Sequence, residues 1–146
     1  MGEYKVERTP EQEAEMVANV ADEAAEREHK EEVVADIQKI MDDGKMEDIV
    51  VCRCRDGYFT EYVIIGTATS DRHCFGVATK VIQYIKQELD FVPQVDKKQH
   101  NWVVTDIGYA MIHCVTAERR ENYQFDDFIK GIDSKSQLAG AKSDSK

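Results

Sequence analysis

The sequence predicts an α/β or α+β chain in which helices flank a mixed β-sheet, behind an N-terminal helical extension. Three observations lead there. The stretch FTEYVIIGTATSDRH, Phe59 to His73, reads as a buried strand that turns through small residues into a capped helix. Short β-branched runs alternate with helical periodicity around it. The charge is also unevenly spread. Residues 1–48 hold 16 acidic and 6 basic side chains, which accounts for the whole net charge of −10, while residues 49–146 hold 13 of each. The expected organisation is therefore an acidic helical extension over 1–32, a folded domain over 33–130 and a disordered tail over 131–146.

The first helix starts at Thr9-Pro10-Glu11-Gln12, with Thr9 as N-cap, proline at the first helical position and glutamine three residues after the cap. Its apolar stripe of Met16, Val17, Val20, Ala21 and Ala24 is thin and is lost from Arg27 to Glu32, so this part either stays exposed or docks on a partner. A second helix follows, with Val33, Val34, Ile37, Ile40 and Met41 on one face. Gly44 is expected to stop it in the left-handed conformation.

Ile49 to Cys54 reads as a first strand, Arg55-Asp56-Gly57 as a turn and Tyr62 to Thr67 as a second strand, paired as a hairpin or near neighbour. Ser70 caps a helix from about Asp71 to Leu89, whose buried stripe is Cys74, Val77, Ala78, Val81, Ile82, Ile85 and Leu89. Phe91 to Asn101 reads as a polar loop. Trp102 to Asp106 and Tyr109 to Val115 read as strands joined at a tight Ile107-Gly108 turn. Thr116 caps a short helix with Arg119, Arg120 and Tyr123, and Phe125 to Ile129 forms a last stub.

Several functions are weighed against these residues. No apolar run approaches the length that crosses a bilayer, and the acidic N-terminus lacks the apolar region of a secretory signal. A charge-balanced domain lacks the clustered cations of nonspecific nucleic-acid binding, so little direct nucleic-acid contact is expected. Cys52, Cys54, Cys74 and Cys114 sit in apolar patterns, as buried free thiols do. The pairs His73-Cys74 and His113-Cys114 lack the knuckle spacing of a structural zinc site. Asp71 and Asp106 are isolated, whereas a two-metal transferase needs paired carboxylates. Neighbouring His73 and Cys74 on a helix diverge too far to act as base and nucleophile. No cofactor, metal or catalytic residue is assigned. Trp102, Asp106 and Tyr109, beside a tight turn, are either packing residues or a protein-docking patch, for which Trp and Tyr are favoured anchors.

The run Asp48-Ile49-Val50-Val51, the stretch Phe59 to Ile65 with Thr69-Ser70-Asp71-Arg72-His73, and Trp102 to Gly108 with Ile112-His113 resemble the ribosomal silencing factor family, also called the Iojap family. Arg120 and Tyr123 resemble its closing motif, and the match spans about residues 33–130. The resemblance implies a nucleotidyltransferase-like shape without that activity. It implies docking on ribosomal protein L-fourteen of the large ribosomal subunit, which sterically blocks small-subunit joining in silencing or subunit assembly. A nucleotide-using transferase on a related scaffold is the alternative. In mitochondrial members the implied partners include a small LYR-motif protein and an acyl carrier protein. The long acidic extension points to the mitochondrial matrix, with bacterial cytoplasm or a plastid as alternatives. The implied docking residues are Trp102, Thr105, Asp106 and Tyr109, with Thr60 and Glu61 as secondary candidates. The chain departs from the family's usual pattern at Tyr109, Ala68, Phe128 and Arg53.

Overall fold

A computed structural model of the chain describes residues 9–134. The chain divides into two compact units, Met1–Val33 and Val34–Lys146. Helix α1, Pro10–Asp43, is continuous, so the two helical segments expected from the sequence are one. The apolar stripe does lapse after Ala24, but no glycine or proline interrupts the run, and its Ala, Glu, Arg and Lys residues favour helix. Loss of amphipathicity removes a packing face without breaking backbone hydrogen bonds. In the first unit the helix begins with a reciprocal capping box. Gln12 N–H donates to Thr9 Oγ1 at 3.1 Å, and Thr9 N–H donates to Gln12 Oε1 at 2.9 Å. Residues 9–29 are all exposed, Met16, Val17 and Val20 among them.

In the second unit, Val34, Ile37 and Met41 of α1 are buried. The helix ends in a Schellman arrangement: Met46 N–H donates to Met41 C=O and Lys45 N–H to Asp42 C=O, with Met41 and Met46 both buried. The left-handed residue is Lys45 (φ 69°), not Gly44 as expected. Gly44 serves a different need, because a Cβ there would lie 2.8 Å from Val77 Cγ2 of the neighbouring helix.

Five strands follow: β1 Glu47–Arg53, β2 Tyr62–Ala68, β3 Gln94–Gln99, β4 Trp102–Asp106 and β5 Ala110–Thr116. Their spatial order is β1-β2-β5-β4-β3. The β1–β2, β5–β4 and β4–β3 pairs are antiparallel, and β2–β5 is parallel in register Tyr62↔Ala110 through Ala68↔Thr116. The result is an α+β arrangement with a mixed sheet between helices. Strand β3 occupies the segment read as a loop: its six residues are polar or exposed, so no inward-facing alternation marks it.

Helix α2, Asp71–Glu88, lies over β2, β4 and β5 with Cys74, Val77, Ala78, Val81 and Ile85 buried. Ser70 caps it by accepting from His73 N–H. On the other face, α3 (Ala117–Asn122) and α4 (Phe125–Ile132) complete the domain. Phe125, Ile129 and Ile132 pack with Cys52, Cys54, Val63, Ile65 and Val115. The chain also stays structured past Gly131. Cys54 forms a β-bridge with Asp133, and Ser134 N–H donates to Arg53 C=O at 2.8 Å. The rest of the tail expected over 131–146 lies outside the described residues, as do residues 1–8 of the extension.

A chain truncated to begin at Glu31 should keep a cooperative thermal transition and its near-UV signal, since residues 9–29 bury nothing. Loss of that signal would make the extension part of the core. At the helix stop, Gly44→Ala should destabilise by about 1–3 kcal/mol through overpacking against Val77. Lys45→Gly, which relieves the left-handed cost, should stabilise by about 1 kcal/mol or less. Equal denaturation midpoints for the two variants would contradict this account.

Candidate protein-docking site

A pleated strand sends alternate side chains to opposite faces, and this decides which expected docking residues reach solvent. In β4, Trp102, Val104 and Asp106 face the α4 side, while Val103 and Thr105 face α2. Thr105 is only 1 % exposed and lies in the core, so it cannot touch a partner. Thr60 is likewise buried, its Oγ1 without a hydrogen-bond partner. Both depart from the expected docking set. Glu61 is exposed, and Trp102, Asp106 and Tyr109 are half-buried.

Of these, Trp102 and Asp106 lie on the part of the sheet that α4 leaves open. There a shallow cleft runs over β3, β4 and β5, lined by Gln94, Asp96, Lys98, Trp102, Asp106 and Met111, with His113 at its floor. Trp102 closes one end. Its ring lies tilted against Tyr123 with centroids 4.9 Å apart and meets Phe125 edge-on at 5.3 Å, and its indole N–H donates to His113 Nδ1 at 3.3 Å. Asp106 closes the other end. Its Oδ1 accepts from Gly108 N–H at 2.8 Å, which fixes the turn where Gly108 takes φ 98°. Tyr109 C=O accepts from both Glu61 N–H and Tyr62 N–H, so Glu61 sits at this end too. Sequence reading missed Met111, His113, Tyr123 and all of β3. Parity with Trp102 and Asp106 across the β4–β5 register would have found the first two.

The alternative chemistries are poorly supplied. Asp106 pairs with Met111, which pairs with Val63 at the start of β2, whereas Asp71 follows the end of that strand. Five residues of strand, roughly 16 Å, separate the two carboxylates along the sheet. His73 is engaged at both nitrogens: Nδ1 accepts from Thr69 N–H at 2.9 Å, and Nε2 donates to Gly44 C=O at 2.6 Å. Cys74 donates its thiol hydrogen to Cys114 C=O at 3.0 Å. Burial pushes the Cys74 thiol up to about 11 and the Cys52 thiol to about 12, and it raises Cys54 and Cys114 as well. Among the described residues, no three His, Cys, Asp or Glu side chains gather where they could hold a metal ion, and no helix is long and apolar enough to cross a membrane.

Residues 26–145 match the family described as ribosomal silencing factor during starvation. The chain belongs to the ribosomal silencing factor family. Among relatives, this silencing-factor chain is 31 % identical over 72 residues to the mouse mitochondrial assembly of ribosomal large subunit protein 1, covering 47 % of this chain and 32 % of the relative. It is 28 % identical over 85 residues to the chloroplastic protein Iojap of Zea mays, covering 58 % and 37 %. It is 31 % identical over 68 residues to the ribosomal silencing factor of Haemophilus influenzae, covering 46 % and 67 %. The chain thus spans about a third of the length of the mouse and maize relatives it matches. Two crystal structures share the fold. A Chromobacterium violaceum protein has a TM-score of 0.63 at 20 % identity over 68 % of this chain and 84 % of its own. A Bacillus halodurans protein has 0.58 at 19 % over 67 % and 93 %. The family match includes every strand of the cleft, with β3 at its edge.

At the centre of this silencing-factor cleft, burial, and secondarily the charge of Lys98, lowers His113 to about 4. The folded state therefore binds a proton less readily than the unfolded chain. Stability from neutral His113 is present above the ordinary histidine range and falls as pH drops from 6.5 towards 4. Between pH 6.5 and 5 the loss should be about 1.5 kcal/mol. His113→Asn should flatten that part of the pH–stability curve. A wild-type curve already flat over this interval would show that His113 does not titrate this way.

Proposed function

We propose that this chain is a non-catalytic factor that docks on the large ribosomal subunit through the open β3–β4–β5 face. The reading names ribosomal protein L-fourteen as the docking partner, with small-subunit joining blocked sterically, in silencing or in large-subunit assembly. Its main support is an open sheet face bearing an aromatic-packed tryptophan at one end and the Asp106 carboxylate at the other, inside the family-matched stretch. A rigid platform loses little entropy on binding, and its half-buried aromatics are the residue types that anchor interfaces. Asp106 and Glu61 suit a basic protein surface.

The docking set under this reading is Trp102 and Asp106 in the cleft, with Tyr109 and Glu61 at the adjoining turn outside its lining. Thr105 and Thr60 support the sheet from within. The names of the mouse and maize relatives place those proteins in organelles, and the mitochondrial matrix is our proposal for this chain. There the exposed acidic α1 would be the element open to further partners such as a LYR-motif protein with acyl carrier protein.

Co-sedimentation with isolated large subunits tests the reading. Trp102→Ala and Tyr109→Ala should each cost about 2 kcal/mol, which weakens binding by tens of fold. Asp106→Asn retains the oxygen that holds the Gly108 turn and removes only the charge, so its loss should shrink as salt rises. Thermal melts run in parallel separate binding from folding, because Trp102 also packs on Phe125. Folded aromatic variants that bind normally would move the docking surface elsewhere.

A further inference from the structure

On the opposite side of the sheet from the cleft, a groove opens between the first turn of α2 and the β3–β4 turn. It is lined by Arg72, Phe75, Lys97, Lys98 and His100 with one carboxylate, Asp71. They come from two segments, 71–75 and 97–100, more than twenty positions apart in sequence. They meet because β3 forms the sheet edge beside β4 and α2 lies over β4. The balanced charge of residues 49–146 concealed this cluster while β3 read as a loop.

The cations differ in their commitments. Lys98 Nζ pairs with Asp96 at 2.8 Å. Among the described residues, Arg72 and Lys97 form no ion pair, and Lys97 Nζ rests 4.4 Å from the centroid of the Phe75 ring, itself 46 % exposed. Two uncompensated cations beside an exposed aromatic ring suit a polyanion that also carries flat bases. An acidic peptide would meet the charges and leave Phe75 without a role.

We propose that this groove contacts the phosphate backbone of ribosomal RNA. The inference rests on the docking reading and adds a second contact to it. Lys98 lines both the groove and the protein-docking cleft, so a single bound body can span the two around the β3 edge. The RNA contact would supply salt-dependent affinity, and the cleft the protein-specific part.

The test is the salt dependence of binding by the full chain to isolated large subunits, with a single-stranded fragment of large-subunit ribosomal RNA as a separate ligand. Removing two phosphate contacts in Arg72→Gln/Lys97→Gln should lower the slope of log affinity against log salt by about 1.5 and weaken binding to the RNA fragment. Trp102→Ala should weaken subunit binding and leave the slope unchanged. An unaltered slope in the double variant overturns the proposal. So does a double variant that loses affinity for the isolated docking protein instead of the RNA, because the groove then meets an acidic protein. If the wild-type chain fails to sediment with subunits, the docking reading falls, and the RNA fragment alone decides this inference.

Discussion

Strand β2 is buried along its whole length, and the rest of the domain follows from that constraint. A strand with both faces hidden needs cover above and below, and hydrogen-bonding partners on both edges. The partners are β1 on one side and β5 on the other, and the parallel β5 pairing requires a long crossover. The crossover carries α2, which roofs one face. The segment after β5 turns back as α3 and α4 to roof the other. Because α4 packs on the β1–β2–β5 half of its face and meets β4 at Trp102 through Phe125, most of the β4–β3 half is left open. The candidate docking surface is thus what remains after the central pair has been enclosed.

Arg120 ties this enclosure together. Its guanidinium is buried and donates to Asp48 C=O at 2.5 Å, Thr67 Oγ1 at 2.8 Å and Asp126 Oδ1 at 2.9 Å. Those acceptors belong to β1, β2 and α4. A buried cation is costly unless its donors are satisfied, and here three elements must be in place before they are. The geometry rewards one arrangement of α4 against the sheet. The partner carboxylate is largely exposed, so the neutral acceptors carry much of the satisfaction.

Much of this architecture was legible in the sequence, and the losses have physical reasons. β2, α2 and the β4–β5 hairpin announce themselves because each buries a face, which writes a period into the residues. β3 buries nothing of its own and writes none. The interruption expected in α1 confused loss of an apolar stripe with loss of helix, although Ala and Glu sustain a helix without packing. Which of the expected docking residues reach solvent was half legible. Trp102 and Asp106 share parity on β4 and do share a face, whereas Thr105 breaks parity and falls inside. Tyr123 packs on Trp102 from the end of α3, a contact that no local pattern encodes.

The two outer strands have a common consequence for how the sheet ends. YVIIGTA in β2 has the β-branched, uncharged character of a segment that would template growth if laid bare. Neither edge invites that growth. In β1 the register slips between Glu47 and Val50, around a left-handed Asp48. In β3 it slips between Lys97 and Gln99, where two ammonium groups would have to be stripped of water before another strand could lie alongside. The sheet therefore terminates itself at five strands. The open face can thus stay exposed to solvent while the rims offer no template for a further strand.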